Sequence, residues 1–218
     1  SSYIIFDRDV SHIPFNNPLQ MSEQSNPDDQ HHNPTTIKVD LTPPWSRKSL
    51  FALIQGISGI DMLSIESVHD AVQVAKSLGL APNPHTFTSI GQVALYIFNQ
   101  LIVPTLIQPT VVVGYPVDEY PFIKSDWHYL RLVGRFEVFI RGTKWASGHT
   151  SLTDPEKYRT QLTRRTKTDR QKSDQIHLLD AFGRELHYGL PPTGGLTMYI
   201  DRLFMLATDP NWHLHEYI

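Results

Sequence analysis

Four short runs of alternating or β-branched apolar residues predict strands. Each run ends at a proline, a glycine or a polar residue, as strands of a folded domain do. The runs are Tyr3–Phe6, Ile37–Leu41, Pro109–Asp118 and Arg135–Gly142. The three valines at 111–113 in the third run are typical of a buried strand.

Apolar residues at helical spacing predict three helices between these strands. The first begins at about Ser49, after the prolines of Thr42–Arg47 have ended the preceding strand. The second is predicted from an N-cap at Ser64 to a stop at Gly79, and the third covers about 89–101. The apolar face of the second helix is made of Ile65, Val68, Val72, Ala75 and Leu78. These faces are predicted to pack in the core.

The residues that follow the first strand are polar and rich in proline, asparagine and glutamine. They carry too little apolar surface to offset the entropy lost on ordering, so residues 1–36 are predicted to form an extended arm. His31 and His32 have two interpretations, a metal-binding pair or solvated side chains. The second is favoured because no third ligand lies nearby in the sequence.

Composition predicts a folded domain, since 40% of the 218 residues are hydrophobic and 11% are aromatic. A formal charge of -3 argues against a generally basic nucleic-acid-binding protein. The absence of cysteine excludes disulfides, a thiolate nucleophile and a zinc site built on cysteine. No apolar run reaches the roughly 20 residues that a membrane span needs, and no leader pattern is seen at Ser1, so neither feature is predicted.

The segment Tyr188–Leu206 is punctuated by a Pro-Pro pair and two adjacent glycines, which predict a loop, a short strand and a helix that opens at Asp201. This segment resembles motif 3 of class II aminoacyl-tRNA synthetases. Its Tyr-Gly-Leu-Pro-Pro-Thr start resembles the lysyl-tRNA synthetase branch in particular.

Further segments resemble the same family in the same order along the chain. They are Thr-Pro-Pro-Trp-Ser-Arg at 42–47, Pro-Thr at 109–110, Pro-Phe-Ile-Lys at 121–124, Arg-Phe-Glu at 135–137, and the frame of Gly142, Leu152, Asp154 and Pro155. The resemblance implies an α+β fold with a mostly antiparallel sheet flanked by helices. It also implies that residues 37–218 are the C-terminal part of a catalytic domain, and motifs 1 and 2 and the anticodon-binding domain are expected to be absent from this chain.

Amino-acid activation in that family uses ATP, carboxylates that hold Mg²⁺, and buried acids that hold the lysine ammonium. At the matching positions Lys144 replaces a glutamate, Ser147 an asparagine, His149 a tyrosine and Ser151 a second glutamate, while Thr197 and Tyr199 replace glycines of the nucleotide site and Arg202 is kept. These changes touch the metal, amino-acid and adenine positions together. They predict a degenerate site with no catalytic residue and no metal.

Arg202 has two interpretations. The resemblance implies a nucleotide contact, whereas the helix that begins beside it predicts a brace, with Asp201 or another acid as partner. Glu137 and Arg135 are predicted to form an ion pair on one sheet face, and His149 has no identifiable partner for general-base chemistry.

The segment 159–172 carries six basic residues and one acid, a net charge of +5. The basic residues are Arg159, Arg164, Arg165, Lys167, Arg170 and Lys172. Such a run either contacts RNA phosphates or is a solvated face. It contains no aromatic residue, so sequence-specific RNA recognition is not predicted.

Two hypotheses for function follow. The favoured one is a catalytically inactive component of a larger assembly, such as a mitochondrial ribosome or another ribonucleoprotein, with other protein chains and RNA as partners. The alternative is one half of a split synthetase, which alone would require ATP and Mg²⁺ and a partner chain supplying the rest of the fold. A mitochondrial location belongs to the first hypothesis, with the cytoplasm as its alternative, and neither requires a membrane.

Overall fold

The computed structural model describes residues 3–6, 37–83, 86–168 and 173–207. Within these ranges seven strands form two sheets. The strands are β1 Tyr3–Phe6, β2 Ile37–Asp40, β3 Ser46–Ser49, β4 Thr110–Pro116, β5 Leu132–Ile140, β6 Thr143–Thr150 and β7 Gly194–Met198. The predicted strands are confirmed, and residues 7–36, including His31 and His32, lie outside the described part of the chain.

The larger sheet has the strand order β3-β4-β5-β6-β7. β3 runs parallel to β4, and every other neighbouring pair is antiparallel. The two remaining strands, β1 and β2, form a separate antiparallel pair. With helices beside the larger sheet, the predicted α+β fold with a mostly antiparallel sheet is confirmed.

Six α-helices accompany the sheets in the described ranges. They are α1 Leu50–Ser58, α2 Val68–Ser77, α3 Ile90–Ile97, α4 Pro155–Thr168, α5 Ser173–Glu185 and α6 Ile200–Ala207. None of the described helices is long and apolar enough to cross a bilayer. The helix predicted for 89–101 is α3, with Ser89 as N-cap, and it continues as a π-helical turn over Phe98–Ile102.

The N-cap predicted for the second helix is wrong. Ser64 ends a short 3₁₀ turn, and α2 starts one turn later with Ser67 as N-cap, whose hydroxyl accepts a hydrogen bond from the His69 backbone N–H at 3.1 Å. The predicted stop is confirmed, because Gly79 has φ +78° and its N–H bonds the Lys76 carbonyl at 3.0 Å.

The largest core lies between the first three helices and the sheet. Leu50 and Ile54 of α1, Val93 of α3 and Val112 of β4 are all fully buried in it. A second, smaller core packs Tyr158 and Leu162 of α4 against Leu186, in the 3₁₀ turn that follows α5. The first core holds the sheet that carries the candidate site, and the second holds the basic helix α4.

Candidate functional site

The β5–β6 hairpin positions most of the candidate residues. Arg141 and Gly142 connect the strands, with φ values of 54° and 68°, and Ile140 pairs with Thr143 across the turn. Positive φ at both central residues is the signature of a type I′ turn, whose twist matches that of the flanking strands. The Arg141 and Gly142 N–H groups bond the carbonyls of Ile107 and Leu106, at 2.9 and 3.0 Å.

Pairing across β5, β6 and β7 brings several candidate residues into two rows on one face of the sheet. One row joins Glu137, Ser147 and Thr197. The next joins Arg135, His149 and Gly195. Directly paired residues share a face, so Ser147, His149 and Thr197 lie beside the Arg135–Glu137 pair that the sequence predicted.

A β-bulge brings Lys144 to the same face. Three positions separate Lys144 from Ser147, so strict alternation would place their side chains on opposite faces. The register shifts where Val138 pairs with Ala146 but Phe139 pairs with Lys144, which leaves Trp145 as the extra residue. The Lys144 ammonium therefore reaches Glu137.

The Glu137 carboxylate is the centre of this face. Its Oε1 accepts hydrogen bonds from Arg135, at 2.6 Å from Nη2 and 3.2 Å from Nε, and it lies 3.3 Å from Lys144 Nζ. The Glu137 side chain is only 6% exposed, whereas that of Lys144 is 31% exposed. A buried carboxylate requires such partners, and here one oxygen serves two cations.

Two tyrosines complete the cluster. The Arg135 guanidinium lies over the Tyr120 ring at 4.5 Å and over the Tyr115 ring at 5.6 Å. Burial, followed by the negative charge of Glu137, raises the pKa of Tyr120 to about 12 and raises that of Tyr115 further. Burial by itself lowers the pKa of Arg135, but the hydrogen bond and charge of Glu137 outweigh it and raise that pKa overall.

Arg202 holds the start of α6 against β6. It donates a hydrogen bond through Nη1 to the Lys144 carbonyl, and its guanidinium lies 4.4 Å from the centre of the Tyr199 ring. The Tyr199 N–H in turn bonds the Trp145 carbonyl at 2.9 Å. Of the two interpretations of Arg202, these contacts favour the brace, with a backbone carbonyl and an aromatic ring in place of the expected acid.

Gly195 leaves room that the His149 ring takes. A Cβ added at Gly195 would lie 2.6 Å from His149 Cε1, closer than real Cβ contacts come. Ser151 lies beyond the end of β6, where its N–H bonds the Thr193 carbonyl at 2.9 Å. The structure therefore gathers Lys144, Ser147, His149, Thr197, Tyr199 and Arg202 on or beside β6 and β7, with Ser151 at the end of this region.

Sequence reasoning missed the two tyrosines and the contact between Lys144 and Glu137. The alternation of β5 placed Arg135 and Glu137 on one face, but the partners depend on strand register and on the bulge. Within the described residues, no group of three or more histidines or acids is arranged as a metal site.

The predicted basic run begins on α4. The side chains of Arg159 and Arg164 are exposed there. The backbone of Arg165 and Lys167 belongs to the same helix, although their side chains are outside the described part, and Arg170 and Lys172 are outside it altogether.

The sheet, the motif 3 strand and helix, and the order of the matching segments agree with one family. A model of that family, described as tRNA synthetases class II (D, K and N), matches residues 6–211. The chain belongs to this family.

Curated relatives of this synthetase-family chain are lysine–tRNA ligases. Those of Listeria welshimeri and Thermosynechococcus vestitus are 38% identical over 173 and 172 residues, which cover 79% and 78% of this chain and 34% of each ligase. That of Thermoanaerobacter pseudethanolicus is 34% identical over 173 residues, with 79% of this chain and 34% of the ligase covered. The resemblance to the lysyl branch is confirmed, and the chain spans about a third of the length of these ligases.

Proposed function

We propose that this lysyl-tRNA synthetase-like domain is catalytically inactive and works as a structural or interaction component of a larger assembly. An organellar ribosome or another ribonucleoprotein is the first assembly to test. The observation that carries the proposal is the double occupation of Glu137 Oε1 by Arg135 and Lys144. Because this carboxylate oxygen already binds two side chains of the protein, it is not available to bind a metal ion or a substrate ammonium.

The donor set on this face does not fit Mg²⁺. This ion prefers an octahedral shell of oxygen ligands at about 2.0–2.1 Å. Here the Glu137 oxygen already faces two positive side chains, and Lys144 stands where the family resemblance implies a metal-binding glutamate. Both cations would repel a divalent ion, which supports the loss of metal-dependent activation.

Protein groups contact one another at the positions that the family resemblance assigns to the nucleotide. Arg202 is engaged by the Tyr199 ring and the Lys144 carbonyl, and the His149 ring takes the space beside Gly195. A nucleotide lying on this face would have to displace these contacts. Their presence supports a domain whose fold is kept while its ligand positions are used for packing.

ATP binding measured by isothermal titration calorimetry tests this proposal. The unaltered chain is expected to give no binding heat with ATP and Mg²⁺, because Lys144 and Tyr199 obstruct the metal and nucleotide positions. The triple variant Lys144→Glu, Thr197→Gly, Tyr199→Gly is expected to gain weak Mg²⁺-dependent binding. A matched charge control is Lys76→Glu, which makes the same charge change at an exposed residue of α2, outside the sheet that carries the Glu137 cluster.

Tight ATP binding by the unaltered chain, together with ATP–pyrophosphate exchange, would overturn the proposal. The same measurement after addition of any co-purifying protein tests the split-synthetase alternative. Exchange activity that appears only with both chains would establish that alternative.

The assembly itself is tested by purifying the protein from its source and identifying what accompanies it by mass spectrometry and RNA sequencing. Ribosomal proteins and ribosomal RNA are the expected companions. A single companion protein with the remaining synthetase segments, together with tRNA, would contradict the ribosomal role.

A further inference from the structure

A cleft of about 290 Å³ separates α4 from α5 and the 3₁₀ turn after it. Its lining includes two arginines, Arg159 from α4 and Arg184 from α5, and a histidine, His187, from the turn. Its floor includes Tyr158, Leu162 and Gly183. The cleft is remote in sequence from the Glu137 cluster, and none of its residues takes part in that face.

The floor of the cleft is fixed by packing. Tyr158 is 3% exposed and packs edge-on against Phe182, with ring centres 5.5 Å apart. Gly183 lies so close that an added Cβ would be 3.2 Å from Tyr158 Cδ1. The absent side chain at Gly183 therefore lets the helices approach and keeps the cleft open above their contact.

The charges that line the cleft are unbalanced. Arg184 forms an ion pair with Asp180 one turn earlier on α5, and Asp180 is the acid in the lining. Neither Arg159 nor His187 makes an ion pair with another residue of the described ranges. Two arginines thus face one carboxylate, and this excess of positive charge favours an anionic ligand.

Phosphate and carboxylate are the anions that this lining can bind. A guanidinium presents its N–H groups in a planar fork that matches two oxygens of a phosphate or carboxylate, and an imidazole adds another donor. The volume of about 290 Å³ lies just below roughly 300–1,000 Å³, the range for pockets that hold a whole drug-sized ligand. The cleft therefore suits one charged group of a longer molecule.

We propose that the cleft between α4 and α5 binds a phosphate of an RNA backbone. The sequence that follows the α4 lining is also basic, since Arg165, Lys167, Arg170 and Lys172 stand against Asp169 alone, and a polyanion such as RNA is the ligand class that favours such a run. This proposal rests on the interaction role proposed above, and it names RNA as the partner in that role.

Fluorescence anisotropy with a labelled single-stranded oligouridylate of about 12 nucleotides tests the cleft. Arg159→Gln and Arg184→Gln are each expected to weaken RNA binding about fivefold to tenfold, and to lower the slope of log K against log salt by about one, the effect of losing one phosphate contact. Arg164→Gln is the matched control, because it removes the same charge from the same helix outside the cleft. A loss of about twofold or less is expected for it.

Asp180→Asn tests the cleft in the opposite direction. It releases Arg184 from its ion pair and removes the only acid from the described lining, so RNA binding is expected to tighten about threefold. Circular dichroism and melting temperature establish that each variant is folded. Equal losses of RNA affinity in Arg159→Gln, Arg184→Gln and Arg164→Gln would overturn the proposal. They would show that RNA is attracted by the overall positive charge of this region and not by the cleft.

Inorganic phosphate separates RNA from a free phosphate as the source of the ligand. It is expected to compete with the oligonucleotide only at millimolar concentration, whereas phosphate binding without any RNA binding would overturn the assignment to RNA. These outcomes are independent of ATP binding. Absence of RNA binding would overturn the cleft proposal without bearing on the inactive site. Detection of ATP activation would overturn the inactive site without bearing on RNA binding at the cleft.

Discussion

At the scale of single residues, the two cations on Glu137 are expected to differ in their contribution to stability. Arg135 is 2.6 Å from Oε1 and its side chain is 14% exposed, whereas Lys144 is 3.3 Å away and 31% exposed. Arg135→Met should therefore lower the free energy of unfolding by about 3 kcal/mol, since it leaves a buried carboxylate poorly paired. Lys144→Met should cost about 1 kcal/mol, because solvent screens the more exposed pair.

Urea denaturation of both variants measures this difference. Glu137→Gln is the control, since it removes the buried charge and leaves the two cations in place. Equal losses in Arg135→Met and Lys144→Met would mean that the two contacts stabilise the carboxylate equally, contrary to their distances.

The tyrosines beside Glu137 make stability depend on alkaline pH. Burial and the Glu137 charge raise the pKa of Tyr120 from 10.0 to about 12, so the folded state favours the neutral phenol. A group whose pKa is raised by folding stabilises fully below its unfolded pKa, and that stabilisation is lost as pH rises from about 10 towards 12. Unfolding free energies measured between about pH 9 and 11 should fall less steeply for Tyr120→Phe than for the unaltered chain. Parallel pH profiles would contradict this assignment.

At the scale of elements, the helix caps give a direct comparison of two serines. The Ser67 hydroxyl caps α2, and Ser67→Ala should lower the free energy of unfolding by about 1 kcal/mol. The Ser64 hydroxyl only donates to the Asp61 carbonyl at 2.7 Å on an exposed turn, so Ser64→Ala should cost about 0.5 kcal/mol or less. Thermal or urea unfolding of the two variants decides the order, and a larger loss for Ser64→Ala would restore the cap that the sequence predicted.

The sequence predicted elements that carry a local signal and missed those that depend on a distant partner. The strand runs and Gly79 were predicted because alternation and a positive φ are local properties. β3 was missed because Ser46–Ser49 is polar and becomes a strand only by pairing with β4. The N-cap is Ser67 rather than the predicted Ser64, because both serines precede apolar residues at helical spacing and the spacing does not distinguish them.

In the candidate site too, the residues could be identified from the sequence, whereas their contacts could not. Resemblance to one family indicated which positions to examine, including Lys144 and Tyr199. Their contacts depend on the bulge at Trp145 and on the start of α6, and neither feature has a signal in the sequence. Comparison with the family motif identifies the change from glutamate to lysine at position 144. The carboxylate that pairs with this lysine, Glu137, can be identified only when the register between β5 and β6 is known.

At the scale of the whole molecule, an exposed apolar patch covers β7 and the start of α6. β7 is the last strand of the described sheet, and Leu196, Met198, Ile200 and Leu203 are 66%, 52%, 65% and 45% exposed. Exposed apolar side chains beside a strand edge that no described strand covers promote association. The purified chain is therefore expected to self-associate with increasing concentration unless a partner covers the patch.

Sedimentation velocity across a range of concentrations tests this expectation. The double variant Leu196→Lys, Met198→Lys should shift the distribution towards monomer, since it adds charge to the patch without changing a buried residue. A matched control places the same two lysines at exposed residues of α2, away from β7. A chain that is monomeric at all concentrations would show that the patch does not drive association.

The parallel pairing of β3 with β4 has a consequence for the order of folding. Ser46 and Thr110 are neighbours in the sheet, but three helices lie between them in the chain. Closing so long a loop is entropically costly unless the intervening chain is already compact. The helical layer is therefore expected to collapse before the sheet acquires its outer strand, and backbone amides of β3 should exchange with solvent sooner than those of β4.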